Sequence, residues 1–219
     1  MPLASRPVVA RVFPFAVFIA FIALQPVLAA AIDERWVVAL RGVVVAALLA
    51  WFWRDYAELG DRPAPTQLAL GVGVGIGVFL LWITFDSGWA LLGEPGRGFV
   101  PTREDGTLDV TLVALRLFGL ALVVPVMEEL FWRSFLMRWI AQRDFRAIEP
   151  RAVGAVAFAL SSGLFALEHS QWFAGLLAGA AYAWLYMRSG NLWTAIASHT
   201  TTNAILGTWV LATGRWSYW

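Results

Sequence analysis

Cysteine and lysine are both missing from these 219 residues. Without cysteine there is no thiol nucleophile, no thiolate metal site and no disulfide. The sixteen basic residues are therefore all arginine, a bias that genomic base composition is enough to explain. Charge is scarce as well. Only 14% of the residues are charged and 60% are hydrophobic, whereas a soluble domain carries about 25% charged residues. The net charge of +1 implies no acidic or basic partner, and no nucleic acid is expected. No alternation of apolar and polar residues at strand period runs through the apolar segments, which argues against a barrel. Internal repeats and low-complexity segments are absent too.

What is present is a series of long apolar runs, at residues 12–31, 36–53, 66–85, 109–140, 152–168, 172–188 and 191–213. A helix needs roughly 20 apolar residues to cross the hydrocarbon core. The pattern predicts an all-α, polytopic transmembrane bundle of seven to eight helices, multi-pass in a cell inner membrane. It reads as a single integral membrane domain over residues 1–219, with its motif-bearing core at 109–213. The count depends on the fourth run, which is too long for one straight crossing. Pro125 is expected to kink it or to divide it, because a mid-helix proline removes a hydrogen bond and clashes with the preceding turn. The first run follows Arg6 and Arg11 and ends near VLAAA, which resembles a small-residue cleavage site. Its length, its two prolines and the runs that follow favour an uncleaved first helix.

Arginines near the run ends set the orientation. Arg6, Arg11, Arg54, Arg62, Arg138, Arg143, Arg146, Arg151 and Arg188 fall on one side of a seven-span arrangement, and Arg35, Arg97, Arg103 and Arg215 on the other. The positive-inside rule then puts the N-terminus in the cytoplasm. The loop from Asp86 to Thr107 holds Gly88, Gly93, Pro95, Gly96, Gly98 and Pro101 and reads as irregular structure that could gate access. The stretch GVGVGIG, Gly71 to Gly77, reads as close helix packing through small residues rather than as a flexible gate.

Ionised groups are avoided almost everywhere in these runs, yet VMEELFWRSF, Val126 to Phe135, contains two glutamates and an arginine. Each costs about 2.5–3.5 kcal/mol at membrane depth on insertion scales. Glu129 and Arg133 are four apart, so they share a helical face and can pair. Glu128 is rotated by about 100° from Glu129. One glutamate is thus structural and the other available. The bland alternative is that both lie near a span end and are simply solvated. The two histidines, His169 in FALEH and His199 in SHTTTN, fall in later runs, and Asn203 shares a helical face with His199. A lone membrane histidine is more often a satisfied hydrogen bond. Two of them with an amide are a sensible set around an activated water, where a carboxylate takes the proton and imidazole or amide stabilises an oxyanion.

EELFWR resembles the EExxxR motif of the CAAX protease and bacteriocin-processing family of intramembrane proteases. FALEH is similar to its FxxxH motif and HTTTN to its HxxxN motif, in the family's order, from Glu128 to Asn203. The first hundred residues carry no diagnostic match. The resemblance implies a glutamate-type peptidase on an all-helical membrane fold, acting on a membrane-associated protein or peptide within the lipid bilayer, with no cofactor. It implies Glu128 as the general base, His169 assisting, His199 with Asn203 as the oxyanion site, and Glu129 with Arg133 in support. The lysine-free chain is more similar to the bacterial members associated with exosortase and PEP-CTERM sorting.

Other readings compete. Glu128, His169 and His199 could hold zinc, although no HExxH pair is present. Against zinc stands the expectation that neither histidine has a carboxylate to orient it: Glu129 is matched to Arg133, and Asn203 is the partner at good spacing for His199. Ser161 and Ser162 before Gly163, with His199, could suggest a serine peptidase, but a convincing nucleophile turn is missing. A proton-coupled transporter or non-catalytic scaffold would use the charges as a relay. The peptidase reading requires Glu128, His169, His199 and Asn203 to line one cavity. Straight helices oppose this, since they put His169 about 27 Å beyond Arg151, near the opposite face from Glu128 and His199.

Overall fold

A computed structural model describes residues 5–93 and 98–219. Seven long helices run through them: α1 (Arg6–Leu28), α2 (Glu34–Trp51), α3 (Pro65–Thr84), α4 (Val110–Ala141), α5 (Ala155–Leu167), α6 (Trp172–Ser189) and α7 (Leu192–Thr213). Each answers to one apolar run. Among the described residues there is no strand, only an isolated bridge between Thr102 and Leu108. α1, α3 and α4 are long and apolar enough to cross a membrane, and α5 is a shorter apolar helix. The loop residues Pro95 and Gly96 and the arginine Arg97 lie outside the described residues.

The bundle has its apolar and polar groups arranged for lipid. Leu80, Leu122, Val156, Leu160 and Leu167 face outward, while Arg11, Glu129, Arg133, His199 and Asn203 are buried. In a bilayer an outward leucine costs nothing, and an inward charge must find a partner. Arg11 finds Glu58, at 2.8 Å and 2.5 Å to its two carboxylate oxygens. Phe15 of α1 stacks on Phe131 of α4 at 3.8 Å, so α1 is packed as an element of the bundle.

α4 is one continuous helix rather than two. Pro125 is absorbed because the hydrogen bonding widens around it. Gly119–Val123 and Glu129–Met137 are π-helical, with the five-residue α-helical stretch Val124–Glu128 between them. Such wide turns accommodate a misfit residue inside a helix and are frequent at functional positions. Here the second one begins at the glutamate pair.

The glycines of α3 act in packing. A Cβ on Gly71 would meet the Thr194 carbonyl oxygen at 2.6 Å, and one on Gly75 would meet the Ser198 carbonyl oxygen at 2.4 Å, whereas Gly73 and Gly77 face open space. The two glycines four residues apart let α7 lie directly against α3, which fixes the helix that carries His199 and Asn203. Thr202 of α7 seals the contact by donating to the Gly75 carbonyl at 2.9 Å, and Tyr182 of α6 donates to the Thr202 hydroxyl at 2.9 Å.

Candidate active site

Glu128 comes from α4, His169 from the turn after α5, and His199 and Asn203 from α7. All four line a single cavity of about 390 Å³. His169 reaches it because α5 has only 13 residues and starts at Ala155, after a 3-10 turn at Pro150–Ala152. The rise from Ala155 to His169 is then roughly 21 Å rather than 27 Å. Gly175 at the start of α6 admits the histidine: a Cβ there would stand 3.3 Å from that of His169. Gly98 and the segment from Ser217 to Trp219 also line the cavity. Gly98 has φ +75°, and a Cβ on it would strike the Trp216 carbonyl oxygen at 1.9 Å, so only glycine lets the two segments meet.

The adjacent glutamates have separate surroundings. Glu129 is fully buried and its Oε1 accepts from Arg133 Nη1 at 3.1 Å, as the four-residue spacing implied. The same oxygen lies 2.9 Å from His199 Nδ1. The pair with Arg133 is thus present, and what is corrected is the expectation that this pairing leaves His199 without a carboxylate to orient it. Arg133 in turn donates to the Gly179 carbonyl at 3.3 Å and lies over the Phe165 ring at 4.2 Å. Glu128 faces the cavity instead, and its buried Oε2 has no protein hydrogen-bond partner.

Both histidines have their tautomer set by an acceptor. His199 Nδ1 faces a carboxylate, and His169 Nδ1 lies 2.9 Å from the Phe165 carbonyl. Neither partner can donate, so each Nδ1 carries hydrogen and each neutral ring keeps its lone pair at Nε2. Tyr182 stacks on His199 with centroids 4.7 Å apart. Both histidines thus have an acceptor of the kind that orients a metal ligand, contrary to expectation. Among the described residues, however, no group of three histidine, aspartate or glutamate side chains could hold a metal ion.

Asn203 donates one amide hydrogen to the Leu120 carbonyl at 2.9 Å. Pro125 explains why that carbonyl is free. Around it the bonds run five residues back, with Val124 donating to Gly119. The next in the series would run from residue 125 to Leu120, and proline has no N–H. The second hydrogen of the amide is left for the cavity.

Sequence reasoning set Glu168 aside because neighbouring helical side chains diverge, and it missed Tyr182, Arg41 and Arg116, yet all four line this space. Glu168 accepts from Trp132 Nε1 at 3.0 Å, and Tyr182, Arg41 and Arg116 form other parts of the wall. The two arginines carry the signal that singled out VMEELFWRSF, a charge within an apolar run. Ser161 and Ser162 are buried but line none of this cavity, and Ser161 donates to the Phe158 carbonyl at 3.3 Å.

Residues 110–205 match the family model described as Type II CAAX prenyl endopeptidase Rce1-like. The match contains all three motifs and leaves out the first hundred residues. It reaches the family and not the exosortase-associated subgroup. No curated protein and no solved structure matches the chain.

Proposed function

We propose, from the match of residues 110–205 to the Rce1-like CAAX prenyl endopeptidase model, that the chain is a member of the CAAX protease and bacteriocin-processing family and hydrolyses a peptide bond of a membrane-associated protein or peptide with a water activated by Glu128. It does so as a multi-pass protein of a cell inner membrane. The observation that carries this reading is the convergence of Glu128, His169, His199 and Asn203, from three separate segments, on one cavity. Scattered side chains would have fitted a scaffold equally well.

The steps follow from the donors and acceptors. Glu128 takes a proton from water, and the hydroxide attacks the carbonyl carbon of the scissile bond. One Nε2 lone pair, that of His169 or of His199, accepts the water's other hydrogen and holds it in place. The carbonyl oxygen becomes an oxyanion, which the second amide hydrogen of Asn203 meets. The C–N bond then breaks, and Glu128 returns its proton to the leaving nitrogen. With its Nδ1 hydrogen committed to Glu129, a neutral His199 accepts at Nε2. It joins Asn203 as an oxyanion donor only as imidazolium, with Glu129 opposite the charge. No resident cofactor enters these steps.

The test is cleavage of a randomised apolar peptide library by the purified protein in phosphatidylcholine nanodiscs, read by mass spectrometry, with and without prolonged chelation. Cleavage that survives chelation is expected. Activity that disappears on chelation and returns only with added zinc would replace this mechanism with a metallopeptidase one.

A further inference from the structure

Glu168 is a second carboxylate in the catalytic cavity, and water activation by Glu128 leaves it without a task. The other carboxylates inside the bundle have cations: Glu58 has Arg11, and Glu129 has Arg133. Among the described residues Glu168 has no ion pair, although Arg41 and Arg116 line the same cavity. Its hydrogen-bond partner there is Trp132, whose Nε1 donates to Oε2 at 3.0 Å, which leaves Oε1 free. An unpaired carboxylate within a membrane bundle is costly and persists where it does work.

The end of α5 puts Glu168 there. The helix stops at Leu167, and its last bonds run three residues back, from the Glu168 N–H to the Phe165 carbonyl at 3.3 Å and from the His169 N–H to the Ala166 carbonyl at 3.1 Å. Past that end both neighbours line the cavity. Trp132 then ties the carboxylate to α4. It follows Glu128 by four residues, so the two side chains share a helical face, and the indole that holds Glu168 lies on the side of the base. The two glutamates differ in exposure. Glu128 is buried with Oε2 unpartnered, whereas Glu168 is exposed. The other hydrogen-bearing groups of the cavity are committed: His169 Nδ1 to the Phe165 carbonyl, His199 Nδ1 to Glu129, the Tyr182 hydroxyl to Thr202 and the Tyr218 hydroxyl to Asp86. Glu168 is the second carboxylate of the cavity and has an oxygen to spare.

We propose that Glu168 is a further catalytic residue, which carries the proton from Glu128 to the leaving nitrogen. The proposal rests on the peptidase reading and adds a residue to its last step. Once the hydroxide has formed, Glu128 holds the proton taken from water. It passes that proton to the Glu168 carboxylate and is itself a carboxylate again. As the C–N bond breaks, its electron pair goes to nitrogen and nitrogen takes the proton from Glu168, while a lone pair of the oxyanion restores the C=O bond. Both glutamates end ionised, as they began, and one water has been added across the peptide bond. An amide nitrogen does not leave as an anion, so the group that protonates it governs the rate of this step. Trp132 is the positioning residue for that group.

The test compares two leaving groups. A randomised apolar peptide library is prepared once with ordinary amide bonds and once with a backbone amide replaced by a thioester. An amine must be protonated to leave, whereas a thiol has an ordinary pKa of about 8.5 and leaves as the thiolate. Purified protein in phosphatidylcholine nanodiscs is given each library, and mass spectrometry reads cleavage above the rate without protein. Glu168→Gln keeps a side-chain oxygen for the Trp132 N–H, so its melting temperature should match wild type. Its amide cleavage should fall by about 10²-fold or more, the range for loss of a proton-transfer group, while its thioester cleavage stays near the wild-type rate. Trp132→Phe, which removes the N–H and keeps an aromatic ring, should lower amide cleavage by less and leave thioester cleavage in place. Glu128→Gln should lower both, because both need the activated water. Amide cleavage by Glu168→Gln at the wild-type rate would overturn the relay and keep the peptidase. A loss of amide and thioester cleavage by the same factor would likewise overturn it, since the residue would then act before the leaving group departs. Wild-type protein that cuts neither library would reject the peptidase reading, and the relay with it.

Discussion

Glu128 and Glu129 differ by one position and meet opposite surroundings, because adjacent helical residues point in different directions. Glu129 bonds Arg133 and His199 through one oxygen. Glu129→Ala is therefore expected to leave a buried arginine unpaired, a loss of about 3–5 kcal/mol. It should also release the Nδ1 hydrogen of His199, so turnover should fall further than the loss of folded protein accounts for. A calibrated melting measurement alongside turnover per folded molecule checks this; unchanged turnover per folded molecule would show that the His199 contact is idle. The spacing of four made the Glu129–Arg133 pair legible in the sequence. The His199 contact was not legible, since nothing in local periodicity encodes which of two residues on different helices will share an oxygen.

At the scale of the helix, α4 shows what a motif can hide. The proline was visible, and a kink or a break was its natural consequence. The two π-helical segments that keep α4 whole depend on what surrounds it, among them the Asn203 amide that takes up the Leu120 carbonyl. Asn203→Ala should then destabilise the protein by about 1–3 kcal/mol, by leaving a buried acceptor unpaired, as well as reducing turnover about 10²- to 10³-fold by removing an oxyanion donor. In a Pro125→Ala background residue 125 regains its N–H, so the stability cost of Asn203→Ala should shrink while the turnover cost remains. Additive melting effects would refute the link between proline and amide. The glycines of α3 allow a sharper comparison. Gly75→Ala would push α7 away and should cost about 1–3 kcal/mol together with activity, whereas Gly73→Ala, facing open space, should cost neither. Small residues four apart signalled packing in the sequence; only the fold identified the partner as the helix that holds His199.

Across the whole molecule the apolar runs placed all seven helices, because the bilayer requires length and apolarity that show directly in composition. The depth of His169 did not follow, since it depends on α5 starting late and ending short. Beyond the helices, Asp86 after α3 clamps the C-terminal segment whose Ser217 to Trp219 line the cavity. Asp86 accepts from Tyr218 Oη at 2.6 Å and from Arg215 Nη2 at 2.8 Å. The Tyr218 hydroxyl, aided by the Arg215 guanidinium, holds the Asp86 carboxyl below its ordinary value. The unfolded chain takes up that proton at the higher, ordinary value, so the clamp stabilises fully above the ordinary carboxylate range and fades as pH falls through the lowered one. The melting temperature of wild type should exceed that of Asp86→Asn at neutral pH, and the gap should close on acidification; a gap independent of pH would contradict the ionised clamp. The claim on which everything else depends is that Glu128 is the base. It is tested most directly by the turnover of purified, folded Glu128→Gln protein beside wild type, on library peptides that wild type is first shown to cut. The predicted result is an unchanged melting temperature with turnover reduced by at least about 10²-fold, the lower range for loss of a general base. A folded Glu128→Gln protein that cleaves at the wild-type rate would contradict it.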